Sequence, residues 1–265
     1  MELKKCLFAV SGAIAWITMN TPENLNAIDV EMADELLYLL ELCENDPAVK
    51  VVVLSGAGKA FSAGGDIRFL HKRMQNGDEY KTDKRLVKRV GQLALNIKQM
   101  GKLVITMVGG AAAGAGANLA FSGDFVFASE KTLFIQSFAG VGLVPDTGGA
   151  YLLSRIIGSQ KALELCVLRR PVYAAEAKDL GLVYSVCRAE ELEGATLAFA
   201  AELAAGPLLS YQGIKRQIFA ASFSGLGAYL VNAEQSTMNV CVNSQDYKEG
   251  VFAFIEKRPP GFIGK

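Results

Sequence analysis

Two hydrophobic periods alternate along the first two thirds of this chain, one of about two residues and one of about 3.6. Residues 7–10 and 13–19 flank Ser11-Gly12 and predict a β-hairpin. A loop over 20–26 follows, and then Asp29 supplies a helix N-cap. Met32, Leu36, Leu37, Leu40 and Cys43 recur at helical spacing, which predicts a helix over 30–44. The run Val51-Val52-Val53-Leu54 predicts a strand over 50–55, and 56–66 read as a loop. Helices are expected over 67–74 and 83–100, with a polar, mobile connection over 75–82.

Residues 103–108 form a third long apolar run and read as a buried strand. It empties into the Gly/Ala-rich turn that starts at Gly109-Gly110, and a helix is expected near Ala117. Short strands follow over 125–128 and 132–135. From Gly149 the balance shifts to helices, over 150–157, 160–168, 174–180 and 189–204, with three more to the end. One strand over 182–186 interrupts them. An α/β core with a helical C-terminal part is the simplest architecture for this order.

Composition narrows the class. With 265 residues, 51% of them hydrophobic, the chain can build one large core or a domain with an appendage. Its 27 basic and 27 acidic residues balance, so neither nucleic acid nor an anionic membrane is expected as a partner. Five scattered cysteines with no CxxC pair fit a reducing, cytoplasmic compartment and argue against a structural metal. No signal peptide is read at the start. The uncharged stretch 103–121 is dominated by Gly and Ala and contains Asn118, so it reads as buried strand, loop and helix, not a membrane span.

Two turns carry the candidate chemistry. Gly114-Ala115-Gly116 after the 103–108 strand lacks the third glycine of a dinucleotide fingerprint, because Leu119 stands there. Gly56-Ala57-Gly58-Lys59 lacks the Ser/Thr of a phosphate loop. What remains is a backbone-lined turn whose amides open a helix and face negative charge. The second turn, Val144-Pro145-Asp146-Thr147-Gly148-Gly149, sets one carboxylate on a tight corner, either as a proton-transfer group or as a helix cap. The one histidine, His71, lies among Arg68, Lys72 and Arg73 and reads as solvated or at a ligand rim. No Gly-x-Ser-x-Gly elbow accompanies it, so a histidine triad is excluded.

Lys59 to Ile67, Gly109 to Asp124, Phe134 to Gly149, Leu153 to Gly158, Glu176 to Val183 and Phe254 to Arg258, in this order, resemble the enoyl-CoA hydratase/isomerase (crotonase) superfamily over nearly the whole chain. The resemblance implies an α/β, crotonase-like ββα spiral core over 1–200 with the CoA-thioester site. It also implies a helical C-terminal trimerisation region over 201–265. The implied partners are an acyl-CoA thioester and further copies of the chain, as a homotrimer or a dimer of trimers. No cofactor is implied beyond the coenzyme A of the substrate itself.

By motif position, the amides of Gly65 and Ala115 are expected to hold the thioester oxygen, and Ala63, Asp66, Arg68, Phe254 and Lys257 to bind CoA. Asn118 and Phe138 line the pocket at the positions where family hydratases carry their two glutamates. Asp146 stands where isomerase branches carry a catalytic carboxylate, and the surrounding motifs are closest to the 1,2-epoxyphenylacetyl-CoA isomerase-like members. The resemblance therefore implies an isomerase that moves a double bond through an enolate, with Asp146 as sole acid and base. An enoyl-CoA hydratase and a non-catalytic acyl-CoA-binding paralogue are the alternatives.

Overall fold

The computed structural model describes residues 1–75 and 84–265. The polar connection expected over 75–82 falls, beyond Gln75, outside the described residues. Ten strands form two sheets. The larger contains β1 (Cys6–Ser11), β2 (Ile14–Met19), β3 (Val51–Gly56), β5 (Leu103–Val108), β7 (Phe125–Ser129) and β10 (Ser185–Cys187), side by side in that order. The smaller orders β4 (Ala60–Ser62), β6 (Ala111–Ala113), β8 (Leu133–Ile135) and β9 (Val172–Tyr173).

The hairpin β1–β2 is antiparallel, and every other pairing of the larger sheet is parallel. Each parallel step requires a crossover, which the helices supply. They are α1 (Val30–Asn45), α2 (Ile67–Gln75), α3 (Lys84–Gln99), α4 (Ala115–Ser122), α5 (Gly149–Ile156), α6 (Ser159–Leu168) and α7 (Ala174–Asp179). After β10 come α8 (Leu192–Ala205), α9 (Leu208–Ile218), α10 (Leu226–Tyr229), α11 (Gln235–Val242) and α12 (Gln245–Glu256). Two π-helical turns, Phe219–Phe223 and Leu230–Glu234, join the later helices.

Burial follows the predicted periods. In α1, capped by Asp29 accepting the Met32 N–H, the residues Met32, Leu36, Leu40 and Cys43 are buried, with Leu39 beside them. Val51 to Ser55 are buried on both faces of β3, as expected for a central parallel strand. α1, α3 and α4 cover one side of the larger sheet in the main core, while α8 closes the other side against Val51, Val53, Ile105 and Phe127.

The smaller sheet was not expected. Its first two strands lie inside segments read as loops, 56–66 and the Gly/Ala turn. This sheet positions the site. β4, β6 and β8 run parallel, with a register shift between Ala60 and Ser62 that sets Ser62 beside Ala112, and with Ala113 beside Ile135, so the three segments that leave them emerge at one end. Those segments carry Gly65, Ala115 and Phe138.

Candidate active site

Two peptide groups point their N–H bonds away from the protein's own carbonyls. The Gly64 carbonyl accepts the Ile28 N–H at 2.7 Å. Because the peptide is trans, the Gly65 N–H points the opposite way. Likewise the Gly114 carbonyl accepts the Asn118 N–H at 3.1 Å inside α4, which leaves the Ala115 N–H projecting from the helix start. Neither amide donates to a protein acceptor among the described residues.

The two turns touch. A Cβ at Gly64, whose φ is +83°, would lie 2.5 Å from the Ala113 carbonyl and 3.2 Å from the Ala115 nitrogen. Only glycine permits both that backbone conformation and that approach. A Cβ at Gly116 would lie 2.5 Å from the Ser62 carbonyl, so α4 can start against β4 only with glycine there. Ala63 is half-buried in the first turn, its N–H held by the Leu25 carbonyl.

The acid sits on the third segment. Asp146 does not cap α5, since the cap is Gly148 and makes no side-chain bond. Instead Thr147 Oγ1 donates to Asp146 Oδ1 at 2.8 Å, and Asn118 Nδ2 donates to the Asp146 carbonyl at 2.9 Å. Asp146 keeps some solvent contact, yet protein atoms crowd its carboxyl, as at the foot of a narrow opening. Burial pushes its pKa up to about 6, against the lowering effect of the Thr147 hydroxyl and its own amide.

The two residues at the glutamate positions differ in role. Phe138 is buried, and a Cβ at Gly114 would lie 3.5 Å from its ring, so it forms an apolar wall beside the Ala115 turn. Asn118 is fully buried and acts as a brace: its Oδ1 accepts from Gln136 Nε2 at 2.8 Å while its Nδ2 holds the Asp146 backbone. A Cβ at Gly149 would come within 2.0 Å of Asn118 Nδ2, so the brace and Gly149 require each other.

A second carboxyl shares this corner. Glu234, 2% exposed, ends the π-helical turn Leu230–Glu234 and reaches the same corner. Its Oε2 accepts the Gly148 N–H at 2.8 Å, and the Thr147 amide lies close enough to lower its pKa. Desolvation, reinforced by the Asp146 charge, pushes its pKa up to about 9. The sequence offered one signal for it. Leu226, Leu230 and Glu234 recur every four residues, so the acid lies in line with a buried apolar stripe.

The expected CoA positions lie apart from the acid. Asp66 Oδ1 accepts the Phe69 N–H at 3.0 Å and thus caps α2. Arg68 is exposed on α2. α2 packs on α12 through His71 and Phe252, whose rings meet edge-on at 4.9 Å. Phe254 is exposed on α12, and Lys257 is exposed at its end in a left-handed conformation.

The sequence profile of the enoyl-CoA hydratase/isomerase family matches residues 9–265. The chain belongs to this family. It is 36% identical over 265 residues to the trans-2-decenoyl-[acyl-carrier-protein] isomerase of Streptococcus mutans serotype c, covering 100% of both chains. It is 34% identical over 256 residues to the 1,2-epoxyphenylacetyl-CoA isomerase of Escherichia coli, covering 97% of each. Among solved structures, an enoyl-CoA hydratase from Mycobacterium avium subsp. paratuberculosis matches with a TM-score of 0.89 at 30% identity, over 99% of this chain and 100% of that one. The fold is therefore that of the crotonase superfamily, and the chain is an enzyme of the hydratase/isomerase family. Among the described residues no single helix is long and apolar enough to cross a membrane.

Proposed function

We propose that this enzyme shifts the double bond of an enoyl thioester between the 2,3 and 3,4 positions, with Asp146 as the only group that exchanges protons with substrate. The observation that carries this reading is the pairing of Asp146 with two projecting amides while the hydratase glutamate positions hold Asn118 and Phe138. The Asp146 carboxylate takes a proton from the carbon next to the double bond. The electron pair moves into the conjugated system, and charge collects on the thioester oxygen, where the Gly65 and Ala115 N–H groups hold it. The protonated Asp146 then delivers a proton two carbons along the chain. No atom is gained or lost, so one carboxyl suffices. A pKa near 6 suits both halves, because the group is an anion at neutral pH and yet releases its proton readily.

Hydration would need a second acid or base to deliver water. Phe138 cannot do this, and Glu234 is engaged by the Gly148 amide of the Asp146 corner. In this reading Arg68, Phe254 and Lys257 meet the CoA end of the thioester. The exposed apolar side chains of α9, Leu209, Ile214 and Ile218, become subunit contacts of a trimer.

Product analysis tests the reaction type. trans-2-Decenoyl-CoA and the same acyl group on acyl-carrier protein are incubated with enzyme in 18O-labelled water. The expected product is the 3-enoyl isomer without 18O. A labelled 3-hydroxyacyl product overturns the reading, and no product from either carrier does so as well.

A further inference from the structure

The Asp146 corner has an unusual backbone. Thr147 (φ +57°) and Gly148 (φ +70°) are consecutive left-handed residues, and for Thr147 that conformation is costly. Two successive residues of this kind turn their N–H groups to one side and make a concave donor pair. Here the turn is met from within the chain by the Glu234 carboxyl, which accepts the Gly148 N–H at 2.8 Å and lies near the Thr147 amide.

Glu234 has no other reason to be where it is. It is 2% exposed, and no ion pair includes it among the described residues. Its Oε1 has no hydrogen-bond partner. The groups facing it are the Asp146 carboxyl from the corner, Tyr229 from its own helical stretch, and α3 at Gly91, where a Cβ would lie 3.5 Å from Oε1. None is a cation. The segment that delivers it is a π-helical turn, a local irregularity often found at functional sites.

We propose that Glu234 is the positioning residue of Asp146: as a neutral carboxylic acid it locks the left-handed Thr147–Gly148 turn, and through the Thr147 hydroxyl it fixes the direction of the Asp146 carboxylate. This rests on the assignment of Asp146 as the base. The chain of contacts is short. Glu234 holds the Gly148 amide, and Thr147 Oγ1, one residue before it, donates to Asp146 Oδ1 at 2.8 Å. Asn118 holds the Asp146 carbonyl from the other side. Neutrality matters because a second buried anion beside Asp146 would favour protonation of the base. The raised pKa of Glu234, about 9, agrees with this.

Two variants and one titration test the proposal. Glu234→Leu removes the acceptor, and Glu234→Gln keeps a neutral acceptor of the same shape. For Glu234→Leu, kcat is expected to fall about 100-fold, the scale of a small misplacement of a reacting group. KM and the affinity for decanoyl-CoA, a saturated and unreactive probe, should stay within about threefold of wild type. Glu234→Gln should restore kcat to within about fivefold of wild type. A leucine variant with kcat near wild type overturns the proposal, as does a glutamine variant that falls as far as leucine. Should the leucine chain fail to fold, 13C NMR of glutamate-labelled wild-type enzyme decides. The carboxyl resonance missing from Glu234→Gln should titrate near pH 9, and titration in the ordinary carboxylate range overturns the neutral lock. The two readings fail separately. Turnover by Asp146→Asn removes the base assignment, whereas a dead Asp146→Asn beside a normal Glu234→Leu removes only this one.

Discussion

Two buried polar clusters in this molecule invite comparison, and only one is built for chemistry. The first is Lys98, Asp124 and Lys215, between β7 and α9. Lys215 Nζ meets Asp124 Oδ2 at 2.6 Å and the Lys102 carbonyl at 2.8 Å, and Asp124 also accepts the Val104 N–H at 2.8 Å. Lys98 Nζ donates to the Gly123 carbonyl at 2.9 Å. Lys215 and Asp124 pair opposite charges, which is how buried ions survive desolvation, while Lys98 has an acceptor but no ion pair and burial pushes its pKa down to about 8. The second cluster, Asp146 and Glu234, puts two acids together without a cation, and both pKa values rise. Such unrelieved perturbation is characteristic of sites that move protons. A cavity of about 810 Å3 opens beside the lysine cluster, lined mostly by apolar side chains such as Phe121, Ile156, Ile218 and Phe223. Size alone would put the active site there. The proposed function instead puts it at Asp146, on the strength of the proton chemistry and the projecting amides.

The sharpest way to break this contrast is to delete one amide. Ala115 is the first residue of α4, a position that tolerates proline, so Ala115→Pro removes the N–H while the helix start is kept. A fall in kcat of roughly 10²–10³-fold is expected, with circular dichroism unchanged. Lys215→Met tests the other cluster. It strands the buried Asp124 charge, and the expected result is a loss of about 3–5 kcal/mol in denaturant unfolding with kcat per folded enzyme unaltered.

pH gives a smaller but signed effect. Asp146 must be ionised to act, so kcat should rise through about pH 6 and drop roughly tenfold from pH 7 to pH 5. Stability runs the other way. Glu234 and Asp146 keep protons in the folded chain that the unfolded chain releases in the ordinary carboxylate range. Their contribution to folding is therefore full at acid pH and is lost as pH climbs towards 6 for Asp146 and 9 for Glu234. Thermal midpoints at pH 5 and pH 8 should differ less for Glu234→Gln than for wild type.

The same contrast shows what a sequence makes legible. The larger sheet and its covering helices were readable because runs such as Val51-Val52-Val53-Leu54 and the spacing of Met32, Leu36 and Leu40 are local signals. β4, β6 and β9 were not. They are two or three residues long, two of them in Ala- and Gly-rich turns, and they exist only through pairing with distant partners. Asp146, Gly65 and Ala115 stood out through motif position, while composition alone favoured a capping role for Asp146. The structure removes that option, because Gly148 holds the cap position. Glu234 lies 88 residues from Asp146, a separation that no local pattern spans, and it resembled any acid on a C-terminal helix. Asn118 was read only as the residue at a glutamate position, and the structure adds that it braces the Asp146 backbone.

The most direct test of Asp146 as the group that carries the proton is hydrogen exchange on the substrate itself. trans-2-Decenoyl-CoA is incubated in deuterium oxide with wild-type or Asp146→Asn enzyme and followed by proton NMR. Wild type is expected to shift the double bond and place deuterium only at C2 and C4. Asp146→Asn should slow both processes together by about 10²–10⁴-fold while binding decanoyl-CoA with unchanged affinity. Exchange at near wild-type rate in the asparagine variant would contradict Asp146 as the base.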